Sequence, residues 1–244
     1  EIAATEISRL ITAEVEDTGM LVEGDTVNIC VFDAQRKRMV LAARSAGVWT
    51  LTTIAQNVEG GGCDLTRYRG RLTLAYENNG VLRVATEDAG TWSIVTADSL
   101  AGHRVGVRPA LAVGPSDALA IAHRDATDGV LRVSWISLGA WRSAVPTPMA
   151  GLSAGVQAAA WYDDQGTLRI QHGVASARPD LESDLFLMRT FGAPGAAMTT
   201  QRTNEANVGG TVGAARAGGV SYTITRLLSR SALFGNDDGL LLYT

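Results

Sequence analysis

One stretch decides the fold: Gly80-Val-Leu-Arg-Val-Ala-Thr-Glu-Asp-Ala-Gly-Thr-Trp-Ser-Ile-Val-Thr96. It contains a predicted strand, a short turn, and a second strand that opens with Gly-x-Trp. Apolar and polar residues alternate on both sides of the turn, and a period of two is typical of a strand and not of a helix. Similar text runs upstream from Met39 to Trp49 and downstream from Gly129 to Trp141. A repeated β unit is therefore predicted.

The repeat has the length of a four-stranded unit. The tryptophans of the Gly-x-Trp turns, Trp49, Trp92 and Trp141, lie 43 and 49 residues apart. A further strand precedes each pair and is joined to it by a turn such as Asn79-Gly80 or Asp128-Gly129, and these dipeptides are strong hairpin signals. A fourth strand fits before each triplet. Four strands in this length are typical of a propeller blade.

We predict one all-β domain over residues 1–244, a β-propeller of four-stranded blades. A single blade cannot bury both of its faces, so successive blades must pack around an axis. We count five units, and four or six remain compatible with the text. The predicted units cover, roughly, residues 20–55, 63–97, 107–145, 155–203 and 208–244, with residues 1–12 added to the last.

Two parts of this scheme depend on segments that match the repeat less well. Trp161–Ile170 resembles Ala75–Val84 position by position, yet further strands follow it, so the register of the fourth unit is ambiguous. The last unit lacks one strand, and the first eleven residues have no blade of their own. We therefore expect Ile7–Ile11, or a neighbouring segment, to pair with Leu240–Tyr243 and close the ring, because both would otherwise be unpaired edges.

Composition excludes some classes of function. The 244 residues carry a formal net charge of −4, and the only basic run is Arg36–Arg38, so no nucleic-acid partner is expected. No apolar run reaches the ~18 residues of a membrane span. Lys37 is the only lysine among 21 basic residues, and this bias suggests a bacterial source with a GC-rich genome. Since the chain begins with Glu1, an export signal would lie upstream, and we expect an extracellular, periplasmic or cell-surface location.

The two cysteines, Cys30 and Cys63, fall in neighbouring units. Adjacent blades pack face to face, so the two side chains could come within bonding range. An exported protein with two cysteines makes a disulfide reasonable. Two buried thiols that act as small apolar residues are the alternative.

A family resemblance supports the propeller. Thr86-Glu-Asp88-Ala-Gly90-Thr-Trp92 is similar to the Asp-box turn, Ser/Thr-x-Asp-x-Gly-x-Thr-Trp, but is one residue shorter. The repeated text resembles bacterial β-propeller repeats of the broad sialidase-like and lectin-like kind. The resemblance implies a propeller fold and carries over no catalytic residue.

Acidic turns supply the first candidate ligand-binding residues: Asp125, Asp128, Asp163 and Asp164. Equivalent turns of a propeller lie on one rim, where a ring of carboxylates could bind sugar hydroxyls or a structural Ca²⁺. Turn chemistry with a solvated face also explains these residues. No other cofactor is expected.

Aromatic and basic side chains supply the remaining candidates. Trp135 and Trp161 fall outside the repeat, which makes them better candidates for a binding surface than the repeated tryptophans, which we expect to pack between blades. An arginine recurs beside the repeated leucine and is expected to pair with the carboxylate of a neighbour. The histidines show no metal-ligand spacing, and we expect His123, in the strand slot of Tyr76, to be structural.

These observations predict an exported or cell-surface binding module without catalysis, whose partner is a glycan or a protein surface. No nucleophile–base motif occurs in the sequence. An alternative is a propeller enzyme of the glycoside hydrolase or lyase kind, for which the four aspartates named above are the available carboxylates. A structural module within a larger surface assembly is the second alternative.

Overall fold

The computed structural model describes residues 18–146, 152–176, 185–206, 208–217, 220–227 and 239–243. These residues form four antiparallel sheets of four strands, one sheet of three strands, and a single 3-10 turn at Pro115–Asp117. No helix that could span a membrane occurs among them.

The strands of each sheet follow one another in chain order. Sheet 1 contains β1 (Met20–Glu23), β2 (Thr26–Asp33), β3 (Arg38–Ser45) and β4 (Val48–Gln56). Sheet 2 contains β5 (Cys63–Tyr68), β6 (Arg71–Asn78), β7 (Val81–Asp88) and β8 (Thr91–Asp98). Sheet 3 contains β9 (Val107–Val113), β10 (Leu119–Asp125), β11 (Val130–Ser137) and β12 (Ala140–Ala144). Sheet 4 contains β13 (Leu152–Tyr162), β14 (Leu168–Ser176), β15 (Leu185–Gly192) and β16 (Thr199–Ala206). Sheet 5 contains β17 (Val208–Ala217), β18 (Val220–Leu227) and β19 (Gly239–Tyr243).

The sheets are arranged as blades around an axis. The first strands of successive sheets contact one another, β5 with β9, β9 with β13, and β13 with β17. The first strand of each sheet is therefore the innermost. This arrangement confirms the predicted all-β fold. Five blades are not confirmed, because four sheets are complete and sheet 5 has three strands among the described residues. The predicted pairing of Ile7–Ile11 with Leu240–Tyr243 involves residues outside the described part of the chain.

The Gly-x-Trp turns have one shared geometry. Each joins the third strand of its sheet to the fourth through two residues of positive φ, which is the type I′ hairpin geometry. The pairs, with their φ values, are Ala46 (49°) and Gly47 (81°), Ala89 (49°) and Gly90 (83°), and Leu138 (51°) and Gly139 (77°). The tryptophan that follows each turn is partly buried against a core cluster, as predicted for a packing residue.

The cores lie between neighbouring sheets. One cluster joins sheets 1 and 2, a second joins sheets 2 and 3, and a third joins sheets 3 and 4. The repeated apolar positions of the sequence supply their centres, and their members include Met39, Leu41, Leu82, Val84, Leu131 and Val133. Each inner sheet thus buries both faces, which a single blade cannot do.

A disulfide links the first two sheets. Cys30 on β2 and Cys63 on β5 are bonded, with their Cα atoms 6.1 Å apart. The structure thus selects the disulfide over the two buried thiols. The bond holds the start of β5, an innermost strand, against sheet 1.

The blades have two ends, which form two faces of the molecule. The turn between the second and third strands of sheet 3 lies beside the start of β13, where the Ala154 N–H donates to the Gly129 carbonyl at 2.7 Å. The turn between its first and second strands lies beside the end of β13, where a Cβ on Gly114 would meet Tyr162 at 2.6 Å. We call the first the hairpin face and the second the opposite face.

Candidate functional site

The four candidate aspartates do not share a rim. Asp125 and Asp128 lie on the hairpin face, in the turn between the second and third strands of sheet 3. Asp163 and Asp164 follow β13 and begin the turn between the first and second strands of sheet 4, so they lie on the opposite face. The length of β13 separates the two pairs by roughly 30 Å. The prediction of one acidic rim is wrong because Trp161–Ile170 forms an earlier hairpin of its blade than Ala75–Val84 does.

Asp125 and Asp128 come together with His103. The buried Asp125 accepts hydrogen bonds from the N–H groups of Thr127 and Asp128, at 3.0 and 3.3 Å. His103 Nδ1 lies 2.9 Å from Asp125 and 3.7 Å from Asp128. One ligand atom from each of these three side chains lies within 4.8 Å of the others. The group could hold a cation, and the Ca²⁺ prediction remains a prediction.

The acid at the end of the second strand is a repeated structural feature. Asp33 and Glu77 occupy the same place in sheets 1 and 2 and are buried like Asp125. Asp33 accepts the Arg36 N–H at 3.1 Å and pairs with Arg38, and Glu77 accepts the Gly80 N–H at 3.3 Å. In each case the carboxylate fixes the hairpin turn that follows it.

The two candidate tryptophans have different surroundings. Trp135 on β11 is partly buried, and a Cβ on Gly195 would meet its ring at 2.8 Å, so the chain covers it. Trp161 near the end of β13 lines a cavity of about 120 Å³ with Arg169 and Phe191. Trp161 thus lies in sheet 4 near Asp163, whose carboxylate pairs with Arg169 at 2.7 Å.

A larger cavity opens on the hairpin face beside the innermost strands. Its volume is about 360 Å³, and Gly61, Arg104, Arg108, Arg124 and Ser153 contribute to its lining. We call it the axial cavity. Among the described residues that line it, arginine is the only charged type, and none of these residues was a sequence-based candidate.

A shallow groove adjoins the axial cavity on the hairpin face. Arg104 lines both spaces, and the groove also contacts Glu59, Glu77, His103 and Thr127 over about 520 Å³. We call it the rim groove. Arg104 donates to both carboxylate oxygens of Glu77, at 2.8 Å each, in a bidentate pair.

Asp64 bridges two innermost strands. Its carboxylate accepts the N–H of Leu65 on its own strand at 2.8 Å and the N–H of Leu111 on β9 at 2.7 Å. The residue as a whole is partly exposed to solvent, while its carboxylate lies against these two N–H groups. Burial raises the pKa of Asp64 to about 6, although the two N–H groups act to lower it. The sequence contains no signal for this residue, because one of its hydrogen-bond partners lies on a strand 47 residues away.

A second carboxylate lies on the same face of sheet 2 as Asp64. The register pairs Asp64 with Ala75, and Glu77 is two residues further along β6. Such diagonal neighbours have their Cβ atoms roughly 7 Å apart. The Cβ atoms of these two acidic residues of sheet 2 are thus spaced within the range of carboxyl separations that glycosidases use, ~5–10 Å.

His123 and His172 occupy equivalent places inside sheets 3 and 4. His123 Nδ1 accepts the Gly106 N–H at 3.1 Å, and its Nε2 lies 2.9 Å from the Ser134 hydroxyl. His172 repeats the pattern with the Gly155 N–H and the Thr190 hydroxyl. Burial lowers the pKa of each imidazole to about 4. Both residues are enclosed, which supports the structural role expected for His123.

The repeated arginines also have structural partners. Arg132 on β11 forms a bidentate pair with Asp98, at 2.7 and 3.2 Å, and thereby links sheet 3 to the last strand of sheet 2. Arg169 pairs with Asp163 within sheet 4. The first contact is the pairing with a neighbouring carboxylate that the repeat predicts.

The fold is similar to that of several solved enzymes. An α-L-arabinanase of Penicillium chrysogenum with arabinobiose matches with a TM-score of 0.64 at 13% identity, over 94% of this chain and 77% of that one. A Fusarium graminearum α-L-arabinofuranosidase with arabinobiose has a TM-score of 0.62 at 11% identity, over 94% and 80% of the two chains. A Podospora anserina α-L-arabinofuranosidase with cellotriose has a TM-score of 0.57 at 12% identity, over 94% and 89%. No protein-family model and no curated protein matches the sequence.

These comparisons correct two predictions. The prediction of a binding module without catalysis is contradicted, because the similar structures are enzymes that are named for cleaving glycans. The sialidase-like and lectin-like kind is likewise not supported, whereas the propeller is. The chain has a β-propeller fold, shared with α-L-arabinanase and α-L-arabinofuranosidases.

Proposed function

We propose that this chain is a glycoside hydrolase in which Asp64 is the proton-donating carboxyl group. The observation that carries the proposal is an aspartate at the innermost edges of two blades, a residue that is partly exposed and whose carboxyl pKa burial raises to about 6. A glycosidase acid must hold its proton near neutral pH and deliver it to the leaving oxygen, and burial is how proteins achieve this. The solved structures of similar fold contain arabinobiose or cellotriose, so arabinose-containing and β-linked glycans are the first substrates to test.

Glu77 is the proposed second carboxylate. It lies diagonally across β5 and β6 from Asp64 and pairs with the guanidinium of Arg104. In glycosidases a carboxylate at such a separation attacks the anomeric carbon or activates a water molecule, while the acid protonates the glycosidic oxygen. The rim groove contacts Glu77 and gives a glycan chain a path across the hairpin face.

Location and domain organisation remain part of the proposal. A disulfide between sheets 1 and 2 supports an oxidising, exported location. Cores shared between neighbouring sheets support one continuous propeller domain. A bacterial source rests on composition alone.

The test is hydrolysis of a glycan panel by three matched proteins. Wild type, Asp64→Asn and the opposite-face control Asp163→Asn are incubated with arabinobiose, arabinan, xylan, cellotriose and glycans that contain uronic acids, and the released sugars are separated by chromatography. We expect wild type and Asp163→Asn to cleave at least one glycan and Asp64→Asn to be slower by about 100-fold or more, the usual contribution of a general acid. Glu77→Gln should also lose activity, with its fold checked by circular dichroism because Glu77 holds Arg104.

The pH dependence of kcat/KM provides a second test of the same proposal. An acid whose pKa is about 6 in the free protein donates its proton below that value, so kcat/KM should fall as pH rises above about 6. The proposal fails if wild type cleaves none of these glycans, or if Asp64→Asn retains wild-type turnover.

A further inference from the structure

The axial cavity brings three guanidinium groups together at one end of the propeller axis. Arg104 precedes β9, Arg108 lies on β9, and Arg124 lies on β10. Arg104 is paired with Glu77, and Arg108 and Arg124 are the two further guanidinium groups of the described lining. Acidic residues are absent from the described lining, although the whole chain is acidic, with a net charge of −4.

Irregular backbone places these groups in the cavity. Ala110 pairs with Ala122 and Val107 with Arg124, so β9 has one extra residue, at Arg108 and Pro109. Arg108 adopts a positive φ of 50°, which is unfavourable for an arginine. β13 has a bulge at the same level, and the Val156 carbonyl on it accepts a hydrogen bond from Arg108 at 2.9 Å. Bulges of this kind redirect side chains next to functional sites.

Arg124 is held by neutral oxygen atoms. Its guanidinium donates to the Ser153 hydroxyl at 2.7 Å and to the Ala154 carbonyl at 3.3 Å. Burial lowers the pKa of Arg124 and the nearby charge of Arg108 lowers it further, whereas the charge of Asp125 raises it. Two guanidinium groups that repel each other in a partly enclosed space would both be stabilised by an anion bound between them.

The surroundings of the cavity limit the charge of that anion. The adjoining rim groove carries Glu59 and Glu77, and Asp128 lies near its edge beside His103. These carboxylates would repel a ligand with many negative charges. A ligand with one carboxylate on an otherwise uncharged, hydroxyl-rich body avoids this repulsion and can exchange hydrogen bonds with the Ser153 hydroxyl.

We infer that the axial cavity binds the carboxylate of a uronic acid residue, so that Arg108 and Arg124 select acidic sugars as the ligands of this protein. The inference rests on the proposed function in taking the ligand to be a glycan. A volume of about 360 Å³ lies in the range of small-ligand sites, ~300–1,000 Å³. Planar guanidinium groups suit carboxylate recognition, and a carboxylate held in this way places the remaining sugars along the rim groove.

The test compares sugars that differ only in this carboxylate. Binding of methyl glucuronoside and methyl galacturonoside is measured by calorimetry beside methyl glucoside and methyl galactoside, with acetate and inorganic phosphate as free anions. We expect at least one uronoside to bind tenfold or more tightly than its neutral counterpart and than either free anion. Arg124→Gln should weaken that binding at least tenfold. Arg71→Gln, which removes an exposed arginine that pairs with Asp88 away from the cavity, should leave it unchanged.

The remaining outcomes separate the inference from the proposed function. Equal binding of the neutral sugars, equal or tighter binding of acetate or phosphate, or an unaffected Arg124→Gln overturns the inference. If Arg124→Gln does not fold, Arg108→Gln replaces it, and thermal melts verify both. Cleavage of neutral glycans without uronoside binding overturns the inference and retains the hydrolase. Uronoside binding without cleavage of any glycan retains the inference and overturns the hydrolase.

Discussion

The innermost edge of sheet 2 and the interiors of sheets 3 and 4 both hold titratable groups displaced towards their neutral forms. At the edge, burial raises the pKa of Asp64 to about 6, and in the interiors burial lowers the pKa values of His123 and His172 to about 4. The two environments differ in how far solvent can reach the residue that carries the titratable group. Each imidazole is enclosed with both ring nitrogens in hydrogen-bond contact, whereas Asp64 keeps partial exposure beside the axis. A displaced pKa thus reports burial, and access to a ligand decides which displaced group can act on one.

Among the changes that test this comparison, removal of the disulfide next to Asp64 should have the largest effect on stability. Cys30→Ala with Cys63→Ala removes a link that closes a loop of 33 residues, and the chain-entropy relation gives a loss of about 4 kcal/mol in the free energy of unfolding. Urea denaturation measures this loss. Amide exchange should quicken at Leu65 and Leu111, beside Asp64, more than at Gly106 beside His123. Equal protection at both places would mean that the edge is no looser than the interior.

The histidine variants should separate stability from chemistry. His172→Leu leaves the Gly155 N–H without the imidazole, while the Thr190 hydroxyl keeps its contact with the Thr200 hydroxyl. An unsatisfied buried N–H costs about 1–3 kcal/mol, and a loss of this size is therefore expected in urea denaturation. The pH profile of the proposed glycan cleavage should remain that of wild type, because His172 is enclosed. A shifted profile would show that the interior of sheet 4 reaches the site.

The two regions should also respond to pH with opposite signs. A histidine whose pKa is depressed to about 4 is neutral in the folded protein, while the unfolded chain binds a proton below about 6.5. The contribution of this histidine to the free energy of unfolding is complete above pH 6.5 and is lost as the pH falls towards 4. The stability difference between wild type and His172→Gln should therefore shrink by roughly 2–3 kcal/mol from pH 7 to pH 4.5.

The contribution of Asp64 to stability changes with pH in the opposite direction. Its folded pKa of about 6 exceeds the unfolded value of 3.8, so its contribution is present below about pH 4 and is lost as pH rises through 6. Relative to wild type, Asp64→Asn should gain roughly 2–3 kcal/mol between pH 4 and pH 7. Urea denaturation at three pH values measures both differences. Differences of the same sign would remove the distinction between the edge and the interior.

Local sequence was sufficient for the regular blades. Asn79-Gly80 and the Gly-x-Trp turns encode their own positive-φ geometry, so the hairpins of units 1 to 3 follow from two or three adjacent residues. The alternation around Leu82 and Val84 likewise identifies the residues buried between sheets. These features depend on near neighbours in the chain, which a single sequence displays.

Features that depend on distant neighbours were missed. The residues Trp161–Ile170 have the sequence pattern of a hairpin. Each of the three hairpins of a blade has the same pattern, so the sequence could not show which of the three this segment forms. Asp64 accepts one of its two hydrogen bonds from β9, and Arg108 owes its direction to a bulge whose partner strand is β10. The candidate site is made of such residues, which explains why the fold was predicted better than the site.

The type I′ turns indicate where thermal stability could be engineered. Ala46, Ala89 and Leu138 hold a left-handed conformation that costs a side-chain-bearing residue roughly 1 kcal/mol and that asparagine or glycine adopts more easily. Leu138 is fully exposed, at 101% of its reference area, so its replacement sacrifices no packing. The turns belong to three different sheets, so the gains should add. Replacing all three residues with asparagine would raise the melting temperature by roughly 5–10 °C without touching the hairpin face.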